Sequence, residues 1–145
     1  MKFEDLRILV VDDNANMRRL INTILRSVGV LDVVDIDNGA DALAMIQEWK
    51  PDLLLVDYVM DGLDGVEFTR RVRSDIDTPD NRLPIIIVTG YSELWRLNEA
   101  KKAGANDFIV KPFTTKALVN RIQRTMSQGL TLEDVGRQDE AKPAH

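Results

Sequence analysis

Five short apolar runs, separated by segments of helical periodicity, constrain the fold of this chain more than any other feature. The runs are Ile8 to Val11, Val33 to Ile36, Leu53 to Val56, Ile85 to Val88 and Phe108 to Val110. They are rich in β-branched residues and barely alternate, as strands buried on both faces of a parallel sheet do. Between the first two, Met17, Leu20, Ile21, Ile24, Leu25 and Val28 form an apolar stripe that Gly29 ends. Ala42, Leu43, Ile46 and Trp49 repeat the pattern before Pro51, and Leu94, Leu97 and Ala100 before Gly104. Leu118, Val119, Ile122 and Met126 make the last helix, ahead of Gly129. The segment from Val66 to Val72 has the weakest helical pattern. Five alternations of strand and helix predict an α/β domain, a doubly wound, five-stranded parallel sheet with right-handed crossovers.

The chain has 145 residues, enough for one domain and one core. That domain is expected over residues 1–128, followed by a polar, acidic and aperiodic tail over 129–145. A mobile tail is the favoured reading, with docking through Leu130, Leu132 and Val135 as the alternative. No apolar stretch approaches the ~20 residues of a membrane helix, and MKFEDLRILVV does not read as a signal peptide. A cytoplasmic location is the default expectation. Cysteine is absent and the single histidine is His145. Disulfides, thiolate chemistry, Ser-His-Asp triads, histidine-ligated zinc and an internal phosphohistidine are therefore excluded. A net charge of -5 argues against nucleic acid as a direct partner.

Ligands of such sheets bind beyond the carboxyl ends of the strands. Those ends read Asp12-Asp13, Asp37-Asn38, Asp57, Thr89-Gly90 and Lys111-Pro112. The first, third, fourth and fifth are expected together at one rim. Each has a plainer role alone: Asp13 or Asn14 as a helix cap, Asp57 as a turn residue, Thr89 bonded to nearby backbone, Lys111 as a solvated lysine. Their joint placement favours function. Three adjacent carboxylates repel unless a proton or a cation intervenes. Oxygen ligands of this kind suit magnesium, which keeps waters and shares its other positions with phosphate.

Four motifs, ILVVDDN, LLLVDYVMDGLDG, PIIIVTG and GANDFIVKPF, resemble the receiver domain of bacterial response regulators, from about Leu6 to Met126. The resemblance implies a flavodoxin-like fold with strand order 2-1-3-4-5. It also implies that Asp57 is the phosphoacceptor and that Asp13, Asp57 and the Val59 backbone carbonyl ligate Mg2+ directly (Mn2+ as an alternative). Asp12 would act mainly through bound water. Lys111 would pair with the phosphoryl oxygens, Thr89 would bond the attached phosphoryl group, and Phe108 would swing into the space Thr89 leaves. The Lys111-Pro112 peptide would be cis. The implied donor is a sensor histidine kinase, a histidine phosphotransfer protein or a small acyl phosphate. Kinase-side contact is expected at Asn16, Met17, Leu20 and the Thr114-Thr115 turn. Output to a downstream protein is expected through the helix after Thr89, the Phe108 strand and the last helix. Such a chain is a switch and not a conventional enzyme, although it promotes its own phosphorylation and dephosphorylation.

Gly90 is expected to leave room beside the phosphoryl site. Asp61 stands where many receivers carry proline, which predicts a more mobile loop and one further carboxylate near the site. Val59 and Tyr91 flank the entry of water. Two other classes fit the motifs less well. A pseudo-receiver would lack an acid or the lysine, and all are present. Haloacid-dehalogenase-type phosphatases want Asp-x-Asp where this chain has adjacent acids, and neither GxGxxG nor a P-loop follows any strand. A stand-alone regulator acting by protein contact is the resulting expectation.

Overall fold

The computed structural model describes residues 2–74 and 82–128; the expected tail over 129–145 lies outside them. After a short 3-10 turn at Phe3–Asp5 come β1 (Arg7–Val11), α1 (Ala15–Ser27), β2 (Asp32–Ile36), α2 (Gly39–Trp49) and β3 (Leu53–Asp57). They are followed by α3 (Gly65–Ser74), β4 (Ile85–Thr89), α4 (Leu94–Ala103), β5 (Asp107–Val110) and α5 (Thr115–Gln128). The sheet is fully parallel in the order β2-β1-β3-β4-β5. Fold class and strand order are both as expected.

Alternation along the central strands divides the core in two. Leu9, Val11, Leu54, Val56, Ile85 and Ile87 pack under α2, α3 and α4 with Ala42, Phe68 and Val72. Ile8, Val10, Leu53, Leu55, Ile86 and Val88 face α1 and α5 with Ile21, Leu25, Leu118 and Ile122. Every residue of β3 and β4 is buried. β2 departs from the expectation of burial on both faces, since its residues are exposed or half-buried. It is one of the two edge strands, and Asp32 and Asp35 are its exposed residues, where charge also discourages pairing with another chain.

α3 buries more than its weak pattern predicted: Val66, Phe68, Thr69 and Val72 are all buried. Thr69 can join that stripe because its hydroxyl donates to the Gly65 carbonyl at 2.7 Å. Side chains cap α1 and α2 where their patterns begin. Asn14 Oδ1 accepts from Met17 N at 3.0 Å, and Asn38 Oδ1 from Asp41 N at 2.8 Å. α2 ends one residue ahead of Pro51, at Lys50 in the left-handed conformation (φ 54°).

Candidate phosphoacceptor and metal site

Register brings the acidic strand ends together. β1 and β3 pair through Val11 and Val56, so the residues that follow, Asp12 and Asp57, sit side by side. β4 pairs with both β3 and β5, which sets Thr89 beside Val110 and the Lys111 step next to Asp57. The Lys111 amide donates to the Thr89 carbonyl at 2.7 Å, and the Lys111-Pro112 peptide is cis, as expected.

Oxygen atoms of Asp12, Asp13 and Asp57 lie within 4.8 Å of one another. Lys111 Nζ is 3.1 Å from Asp57 Oδ1 and 3.8 Å from Asp12 Oδ2. Asp12 and Asp57 are buried while Asp13 is exposed, so the cluster opens on one side only. Asp12 Oδ1 accepts from the Asn14 amide at 2.8 Å, but the buried Asp12 Oδ2 has no hydrogen-bond partner. Burial, followed by the neighbouring Asp57 charge, lifts the Asp12 carboxyl to about 6, and the Asn14 and Lys111 contacts offset it only in part. A buried carboxylate oxygen without a donor, beside two more carboxylates, fits a hard cation that is still partly hydrated.

Asn14, not Asp13, caps α1. Thr89 is fully buried, its Oγ1 accepting from Tyr91 N at 2.9 Å and lying 3.3 Å from Tyr91 O. Phe108 is half-buried one strand away, with the Arg121 guanidinium 6.0 Å from its ring. Val59 is 51% exposed, so its side chain lies outside the acidic cluster. Asp61 alters the expectation of a looser loop: its amide donates to Asp13 Oδ2 at 3.2 Å, a bond that proline cannot make. A Cβ placed on Gly90 would meet no atom within 4 Å, so packing in this state does not require the glycine.

Some supporting residues carry little local signal. Gly65 donates to the Tyr58 carbonyl at 2.9 Å, and a Cβ there would collide with the Asp57 carbonyl oxygen. The loop after β3 therefore folds back against the end of that strand only with glycine at this position. The repeated glycine of LLLVDYVMDGLDG was the available hint. Arg18 donates to the Asp12 carbonyl at 2.8 Å and to Asp35 Oδ2 at 3.0 Å, tying α1 to the end of β1. From the sequence it reads as an ordinary solvated arginine.

The response regulator receiver domain family matches residues 8–123. The chain belongs to that family. Among relatives, the chemotaxis protein CheY of Pseudomonas aeruginosa is 36% identical, over 82% of this chain and 94% of that protein. The DNA-binding response regulator MtrA of Mycobacterium leprae is 33% identical, over 96% of this chain and 61% of its own length. The receiver domain of a sensor histidine kinase from P. aeruginosa PAO1 superposes with a TM-score of 0.73 at 31% identity, covering 82% of this chain and 95% of that one. That receiver holds a magnesium ion coordinated in its active site cleft. As a receiver domain, the chain is a signalling module. No helix among the described residues is long and apolar enough to cross a membrane.

Proposed function

We propose that this receiver is a phosphorylation-activated switch in which Asp57 accepts a phosphoryl group from a sensor histidine kinase or histidine phosphotransfer protein. The carrying observation is the charge arrangement: a buried nucleophilic carboxylate with Lys111 Nζ at 3.1 Å, inside a set of three acids open on one side. An Asp57 oxygen attacks phosphorus, the bond to the donor imidazole breaks, and an aspartyl phosphate forms. Asp13, Asp57 and the Val59 carbonyl would hold magnesium, with Asp12 acting mainly through water. Magnesium, when bound, supplies positive charge against the phosphoryl oxygens. Lys111 supplies charge from the other side and, released in part from Asp57, pairs with the transferred group. Thr89 then turns its hydroxyl to that group and Phe108 fills the space it leaves. The change is passed to a downstream protein through α4, β5 and α5. Asn16, Met17 and Leu20 on α1 and the Thr114-Thr115 turn are the reading's kinase contacts, all exposed except the half-buried Met17. Nucleic acid has no direct part in it, given the net charge of -5.

The test is intact mass after incubation with acetyl phosphate, with magnesium, with manganese and without metal, beside Asp57→Asn. Gain of one phosphoryl group that needs both Asp57 and a divalent ion is the expected result. A folded wild type that neither gains mass nor binds beryllofluoride would sink the reading in favour of a phosphorylation-independent binding module.

A further inference from the structure

We propose that Arg96 is a positioning residue that, through Tyr91, holds Thr89 in its unphosphorylated conformation and so sets how readily the domain switches. The inference rests on the reading of Asp57 as phosphoacceptor. It starts from an unusual setting for an arginine near the start of α4. The Arg96 guanidinium lies 3.7 Å from the Tyr91 ring centroid, 4.4 Å from that of Trp95 and 5.5 Å from that of Tyr58. Tyr58 and Tyr91 also meet edge to face, 5.9 Å apart at 72°. Arg96 Nε is buried without a hydrogen-bond partner, and the nearest carboxylate oxygen, on Glu93, is 3.7 Å away. Aromatic faces therefore stand where a hydrogen-bond acceptor would, beside a loose ion pair to the exposed Glu93, and a partly desolvated cation gains more from them than an exposed one.

This cluster connects to the site on both sides. Tyr58 directly follows Asp57 and is buried, so it is a fixed wall. Tyr91 is the residue whose backbone engages the Thr89 hydroxyl, through its amide at 2.9 Å and its carbonyl at 3.3 Å. A threonine hydroxyl has one proton. Donating it to a phosphoryl oxygen withdraws it from the Tyr91 carbonyl, and the Gly90–Glu93 connection must adjust. While Arg96 clasps the Tyr91 ring, that adjustment requires giving up stacking. The arginine thus weights the two-state equilibrium toward the resting form, and a ligand that needs the other form binds more weakly by the fraction available.

Beryllofluoride with magnesium stands in for the phosphoryl group on Asp57, and its apparent affinity is read from tryptophan fluorescence or calorimetry. Arg96→Ala is expected to tighten it roughly fivefold, the size of one partly desolvated cation–π contact. Arg96→Lys, a cation without the planar stack, should fall between. In a Thr89→Ala background Arg96→Ala should change the affinity less than twofold, a coupling that a merely structural role would not produce. If Arg96→Ala does not fold, Arg96→Met keeps the stem and carries the same expectation. Unchanged or weaker affinity in the single variant, or equal tightening without Thr89, overturns the proposal. A folded wild type that binds no beryllofluoride overturns the phosphoacceptor reading as well, so the two failures are distinguishable.

Discussion

Lys111 Nζ and Asp57 Oδ1 stand 3.1 Å apart, and the same ammonium is 3.8 Å from Asp12 Oδ2. One lysine therefore serves as the resident counter-ion for two buried acids and as a positive charge that an incoming cation must face.

Opposite consequences for metal and phosphate follow from Lys111→Met. Removing a like charge near the cation should tighten magnesium binding by about threefold to tenfold, given the high effective dielectric at a site open to water. Phosphorylation by acetyl phosphate should slow by about a hundredfold, the usual loss when one fixed charge aimed at a transferring group is removed. Calorimetric magnesium titration and intact mass against time measure the two effects. Parallel loss of both would mean that Lys111 only supports the fold.

Asp12 makes the metal-free domain sensitive to pH in a defined direction. Its carboxyl rises on folding from 3.8 to about 6, mainly through burial. The folded state then binds more protons than the unfolded one between those values. Stability from this group is therefore lost as pH climbs from 3.8 to about 6, and the full penalty remains above that. Asp12→Asn should stabilise the domain by about 2–3 kcal/mol at pH 7.5 in EDTA, and by roughly a third of that at pH 4.5. Urea unfolding of both proteins at the two pH values tests this. In the wild type, magnesium should also bind more weakly below about pH 6, where Asp12 takes up a proton.

Two glycines of the site separate steric need from open space. Gly65→Ala forces a methyl group into the Asp57 carbonyl, so a loss of about 2–4 kcal/mol and weaker magnesium binding are expected. Gly90→Ala meets nothing within 4 Å and should leave stability within about 0.5 kcal/mol. Any slowing of phosphorylation in Gly90→Ala then reports crowding of the phosphoryl group itself. Equal stability of the two variants in thermal unfolding would contradict the contrast.

The sheet and the acidic rim were legible in the sequence because both are written locally. A buried parallel strand is a continuous apolar run, and its carboxyl end is simply the next residue, so Asp12, Asp57, Thr89 and Lys111 could be read off one by one. Edge position is a global property, and Val33 to Ile36 looked as buried as any central strand although its sheet neighbour lies on one side only. The role of Asp61 was hidden because its useful group is a backbone amide, aimed at a carboxylate 48 residues earlier. Arg96 was invisible for a similar reason: Tyr58, Tyr91 and Trp95 converge on it only after β3 and α4 have been placed.

Arg18 offers a test of how far support for the site extends. Its guanidinium bonds the Asp12 carbonyl at 2.8 Å and Asp35 Oδ2 at 3.0 Å, with 19% of the side chain exposed. A planar fork can serve both acceptors at once, whereas a lysine ammonium on a flexible stem holds them less firmly. Arg18→Lys should therefore cost about 0.5–1 kcal/mol in urea unfolding, and Arg18→Met about 1–2 kcal/mol, since the latter leaves the Asp12 carbonyl without its donor. Because the carbonyl belongs to the same residue as a site carboxylate, magnesium affinity should fall in the same order. Asp35→Asn keeps an acceptor for Arg18 and removes only a half-exposed charge, so it should leave both quantities nearly unchanged. If Arg18→Met lowers stability while magnesium affinity stays at the wild-type value, the β1 end holds its geometry without α1, and Arg18 serves the fold alone.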